Sequence, residues 1–127
     1  MTLFEECKQA LAANIKILNM EESQECLAML EKLINHHNVI NWDGVEYTDY
    51  DDLQHLSKTL HHYDAIVYVM ADDKDIPMFQ TNLQLVLENF YDVAALSTKV
   101  FIFNGNELLF PLFPTEKIRY AHLNLEW

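Results

Sequence analysis

Ala65-Ile66-Val67-Tyr68-Val69-Met70-Ala71 is the longest uninterrupted apolar run in the chain. It is rich in β-branched residues and far shorter than the ~18 residues a membrane helix needs, so it predicts a strand buried on both faces. Working downstream, Asp72-Asp73-Lys74-Asp75 forms an acidic turn, and Asp75 with Pro77 reads as a helix start. Phe79, Leu83, Val86, Phe90 and Val93 then fall on one face of a helix expected over about 77–96. Val100-Phe101-Ile102-Phe103 is a second strand, Asn104-Gly105 a hairpin turn, and Leu108-Leu109-Phe110 its return. Pro111 and Pro114 break the sheet or mark an edge, and a weak strand over 118–125 closes the chain. The strand–helix–strand unit from 65 to 103 has the length of a right-handed parallel crossover, with the hairpin adding antiparallel pairs.

Upstream, Thr2-Leu3-Phe4-Glu5 is a capping box that opens a helix over about 3–18. Asn19 and Glu22 restart the chain into a second helix ending near His36 to Asn38, and so short a joint suggests an αα-hairpin. Val39 to Tyr47 alternates around Asp43-Gly44, which fits a short β-hairpin or an ordered loop. Thr48-Asp49-Tyr50-Asp51 reads as another capping box, opening a helix with Leu53, Leu56, Leu60 and Tyr63 as its core stripe. The expected fold is α+β or α/β, a mixed sheet of about 3–5 strands packed with about four helices, in one domain over residues 1–127.

Charge narrows the function. Of the 127 residues, 20 are acidic and 8 basic, a net charge of -12, and Arg119 is the sole arginine. Nucleic-acid affinity rests on Lys and Arg neutralising phosphates, so this field repels nucleic acid and, for the same reason, anionic membranes. A basic protein would be attracted and steered in. Cys7 and Cys26 sit at apolar helix positions and read as reduced core thiols. The first residues lack a basic signal region, so the expected compartment is cytoplasmic.

The acids are not evenly spread. Asp43, Glu46, Asp49, Asp51, Asp52, Asp64, Asp72, Asp73 and Asp75 crowd nine of the 20 into the stretch 42–75, with Trp42, Tyr47 and Tyr50 interleaved. Aromatic rings give contact area at low entropic cost and carboxylates accept bidentate bonds from arginine. Trp42, Asp43, Glu46, Tyr47, Asp49, Tyr50, Asp51, Asp52, Asp72, Asp73 and Asp75 are therefore the expected partner-binding residues. Chemistry finds less footing. Asp51, His55 and His62 share a helical stripe, but zinc-type spacings are absent and no metal or other cofactor is expected. Asp72, Asp73 and Asp75 follow a buried strand, where a metal-dependent hydrolase would place carboxylates. Such an enzyme also wants a phosphate cradle, and Gly44 and Gly105 are both better used in turns. A non-enzymatic binding protein is expected. The alternative is an adaptor or assembly chaperone docking through Phe110 to Pro114 and Leu85/Tyr91.

A small, acidic, glycine-poor domain carrying Asp43-Gly44-Val45-Glu46-Tyr47-Thr48-Asp49-Tyr50-Asp51-Asp52 resembles bacterial toxin-immunity proteins. These include the immunity partners of contact-dependent growth inhibition toxins and barstar-like or colicin-immunity proteins. The resemblance implies a cognate toxin, often a basic nuclease, whose active site is shielded by carboxylates standing in for substrate phosphates.

Overall fold

The computed structural model describes residues 2–34, 40–42, 45–60 and 64–122. In chain order the elements are α1 (Leu3–Ala10), β1 (Lys16–Ile17), α2 (Met20–Leu30), β2 (Tyr47–Tyr50), α3 (Leu53–Thr59) and β3 (Ile66–Ala71). There follow β4 (Phe79–Asn82), α4 (Leu83–Glu88), α5 (Phe90–Ala94), β5 (Val100–Phe103), β6 (Glu107–Pro111) and β7 (Ile118–His122). The seven strands form one sheet in the order β1-β4-β3-β5-β6-β7-β2, and every neighbouring pair is antiparallel. Seven strands and five helices among the described residues exceed the expected three to five and four.

The parallel crossover does not form. Phe79-Gln80-Thr81-Asn82 alternates buried and half-buried residues, a period of two, and folds back beside β3 as β4. The helices after β4 return the chain to the opposite end of the sheet, so β5 lands antiparallel on the other side of β3. The helix expected over 77–96 is thus a strand and two short helices broken at Asn89. The helical spacing misled because Phe79 points into the same layer that α4 and α5 cover, so one apolar stripe runs through strand and helix alike. At Asp75 there is a turn in place of a helix start: the Asp75 N–H donates to the Asp73 carboxylate at 2.9 Å.

Both N-terminal capping boxes form as the sequence predicts, at Thr2 with Glu5 and at Asn19 with Glu22. The αα-hairpin does not. Helix α1 stops at Ala10, and the chain crosses the sheet edge as β1, paired with Phe79 and Gln80 of β4. Helices α1 and α2 consequently cover opposite faces. On the first face α1, α3, α4 and α5 pack on Val67, Val69, Phe79, Ile102, Leu109 and Ile118. On the second, α2 together with Leu33, Ile34, Ile40, Trp42 and Val45 packs on Phe101, Phe103, Leu108 and Ala121. All four residues of β5 are therefore buried, and Val67, Val69 and Ala71 of β3 are buried while Tyr68 and Met70 are half-buried. Cys7 and Cys26 are free thiols, buried in the first and second face respectively. Burial pushes each thiol up to about 11.

The hairpin at Asn104-Gly105 and the strand from Ile118 are present, the latter through His122. Pro111 ends β6 opposite Ile118, within the sheet and not at its edge. Thr48 does not open a helix. Residues 47–50 are edge strand β2, and α3 is capped by Asp52, whose side chain accepts the His55 N–H. Asp51 has no capping-box role. Leu56 and Leu60 are buried as the stripe predicts. Asp43, Gly44, His36, His37, His61, His62 and Tyr63 lie outside the described residues, and so do Val39 and therefore both the start and the turn of the hairpin or loop expected over 39–47.

Candidate functional site

The register between β2 and β7 places Asp49 opposite Arg119 and Tyr47 opposite Ala121, all facing the second side of the sheet. Arg119 Nε donates to Asp49 Oδ1 at 2.7 Å and Nη2 to Oδ2 at 2.9 Å, a two-point fork that matches guanidinium to carboxylate geometry. Its guanidinium carbon lies 4.1 Å from the Tyr47 ring centre and 4.7 Å from that of Trp42. Trp42 meets Tyr47 edge-on at 5.2 Å and Phe110 at 6.1 Å, and Phe110 meets Phe101 at 5.2 Å. An aromatic chain thus runs from the buried Phe101 to Tyr47, which is 44% exposed. The guanidinium holds the Asp49 carboxyl below its ordinary value, and Asp49 in turn raises Arg119.

The carboxylates expected to meet a partner divide by what they already do. Asp49 is committed to Arg119. Asp52 Oδ1 accepts the His55 N–H at 2.9 Å and lies 2.7 Å from His55 Nδ1, and these bonds lower its carboxyl. Glu46 and Asp51 are exposed on either side of β2. Tyr50 faces the other side of the sheet and packs on the first core. Asp72, Asp73 and Asp75 are exposed in the turn after β3, which is tied down by Asp72 N–H to the Lys99 carbonyl at 2.9 Å.

Strands β2 and β3 run the same way, so Asp51 and Asp52 leave the sheet at the same end as Asp72 to Asp75. Four strand spacings separate them, roughly 19 Å at ~4.8 Å each. Asp51 with Asp52 and the turn from Asp72 to Asp75 therefore make two acidic patches at one end of the sheet, while Glu46 and Asp64 precede β2 and β3 at the other. Arg119, which organises the first, was missed because nothing local to it signals a partner 70 residues away.

The apolar alternative is likewise divided. Phe110 packs into the second core and Leu85 against the first, while Phe113 and Tyr91 are exposed. Among the described residues no three His, Cys, Asp or Glu side chains are arranged to hold a metal ion. No helix among them is long and apolar enough to cross a membrane.

A family model described as CdiI immunity protein, EcoliA0-like, matches residues 1–121. No curated protein matches the chain. The match spans nearly the whole sequence, and the chain belongs to this family of contact-dependent growth inhibition immunity proteins. It is thus an immunity protein that binds a toxin.

Proposed function

We propose that this immunity protein neutralises a basic, nuclease-type toxin by docking the acidic and aromatic surface along β2 onto it. The supporting observation is the clamped unit of Trp42, Tyr47, Asp49 and Arg119 at the sheet edge. Holding Tyr47 rigid and half out of solvent prepares an anchor whose ordering cost is met before binding. Glu46 and Asp51 flank that anchor as exposed carboxylates, available to arginines or lysines on the partner. Asp72, Asp73 and Asp75 form a second acidic contact at the end of the sheet where Asp51 lies. The net charge of -12 extends the attraction beyond contact distance and speeds capture. The role is binding, without turnover, and it is exercised in the cytosol of the producing cell.

The test is a double charge reversal, Glu46→Lys with Asp51→Lys, chosen because neither residue has a capping or clamping role. The association rate for the cognate toxin domain should fall roughly tenfold at low salt, with a shallower salt dependence and an unchanged melting temperature. An unaltered rate together with full growth protection would place the docking surface elsewhere.

A further inference from the structure

On the first face, β2 turns through Asp51 and Asp52 into α3, and α3 stands apart from α5. Between them lies an open groove of about 730 Å³ whose lining includes Asp52, Ser57, Lys58, Tyr91 and Glu116. A second hollow of about 380 Å³ shares Ser57 and adds Glu88. Each exceeds what one side chain fills and falls within the roughly 300–1,000 Å³ of clefts that hold a ligand. The lining carries three carboxylates against one ammonium, Lys58: Glu116, Glu88, which accepts from Gln84 Nε2 at 3.0 Å through one oxygen, and Asp52, whose Oδ1 is bonded to His55. Tyr91 stands on the wall 67% exposed, although it is the kind of ring that ordinarily seeks cover. Leu53 and Leu87 contribute apolar lining.

That combination has one chemical complement. The stem of a lysine or arginine lies along apolar surface while its head reaches a carboxylate, and a guanidinium stacks on a tyrosine face. A second copy of this chain is a poor occupant, because each carries a net charge of -12. A nucleic acid is repelled for the same reason. We infer that the groove between α3 and α5 receives a lysine- or arginine-bearing segment of the toxin, so that the toxin grips the β2 edge from both faces. The inference rests on the immunity reading above. It adds a contact on the first face, opposite to Tyr47, with the Asp51-Asp52 turn joining the two.

A photo-crosslinking amino acid is placed singly at position 91, at 47 and at Met20, which is 78% exposed at the start of α2. Each protein is irradiated with the cognate toxin domain and the crosslinked peptide is mapped by mass spectrometry. Crosslinks are expected from 91 and 47 but not from 20, with the peptide captured at 91 containing lysine or arginine. Tyr91→Arg and Glu116→Lys, both at exposed positions, should each weaken binding about tenfold without lowering the melting temperature. Crosslinking from 47 alone, with both variants binding normally, overturns the groove and leaves the β2 surface standing. Crosslinking from 91 alone supports the groove and overturns the β2 surface. A toxin that binds yet crosslinks from neither overturns both, and an acidic peptide captured at 91 overturns the charge argument.

Discussion

Arg119 shows how one side chain can decide what its neighbours are for. Its fork bonds to Asp49 and its two aromatic contacts give an acid that reads as a docking residue a structural partner within the sheet. Removing it as Arg119→Ala should cost about 1–2 kcal/mol, from a partly exposed ion pair plus two cation–π contacts. Equilibrium urea unfolding measures this. The pH dependence has a definite sign. The Asp49 carboxyl is depressed below its ordinary 3.8 in the folded state, so the stability it contributes is fully present above that value. It is lost as pH falls through the depressed folded value. The stability gap between the parent and Asp49→Asn should therefore be constant near neutrality and close in acid, and a gap that persists in acid would refute the pair as its source. The two cysteines make a second residue-scale prediction. With each thiol pushed up to about 11 and buried, neither Cys7 nor Cys26 should react with a disulfide reagent at neutral pH except through unfolding. Rapid labelling of either thiol without loss of structure would contradict that placement. Their burial was readable from apolar helical spacing alone; their separation onto opposite faces was not.

At the scale of elements the junction between β4 and α4 carries most of the difference between the expected and observed folds. Asn82 is the last residue of β4 and also the cap of α4, its side chain accepting the Leu85 N–H at 2.8 Å. Thr81, almost wholly buried, donates its hydroxyl to the Asn14 carbonyl at 2.6 Å and so ties β4 to the connection between α1 and β1. Asn82→Ala should destabilise by about 1 kcal/mol through the lost cap. Thr81→Val, which keeps the shape and strips the donor from a part-buried carbonyl, should cost about 1–3 kcal/mol. Hydrogen exchange should show the first change confined to α4 and the second loosening β1 as well. Equal protection of β1 in both would remove Thr81 from that role. These two residues also explain why a helix was expected there: the apolar stripe continues through the junction, and the break is made by polar side chains whose partners lie elsewhere in the fold.

For the whole molecule the net charge of -12 acts twice. It favours the approach of a partner as basic as the one proposed above, and it also repels itself across a small surface. Raising sodium chloride from low to physiological concentration should increase the melting temperature of the free protein while slowing toxin association. Calorimetry and stopped-flow mixing read the two effects separately. A melting temperature that falls with salt would mean that attractive pairs such as Lys16–Glu22 and Arg119–Asp49 outweigh the repulsion. The sign of the field needed only composition. Its division into two patches depended on strand order, since β2 and β3 are near in sequence yet sit four places apart in the sheet.

Local chemistry sufficed for features whose partners are close along the chain. The capping boxes at Thr2 and Asn19, the strand over Ile66–Ala71, buried on one face and half-buried at Tyr68 and Met70 on the other, and the hairpin at Asn104-Gly105 are all of this kind. Each is settled within a few residues by backbone donors, side-chain shape and turn geometry. The acidic character that directs attention to a basic partner is likewise additive and independent of fold. Tertiary structure alone decided the antiparallel order, the placing of α1 and α2 on opposite faces, and the capture of Asp49 by Arg119. A period of apolar residues says that a face is buried but not against what. That choice is made by the whole sheet, which must cover both faces at once and leaves β2 at its edge with Tyr47 held outward.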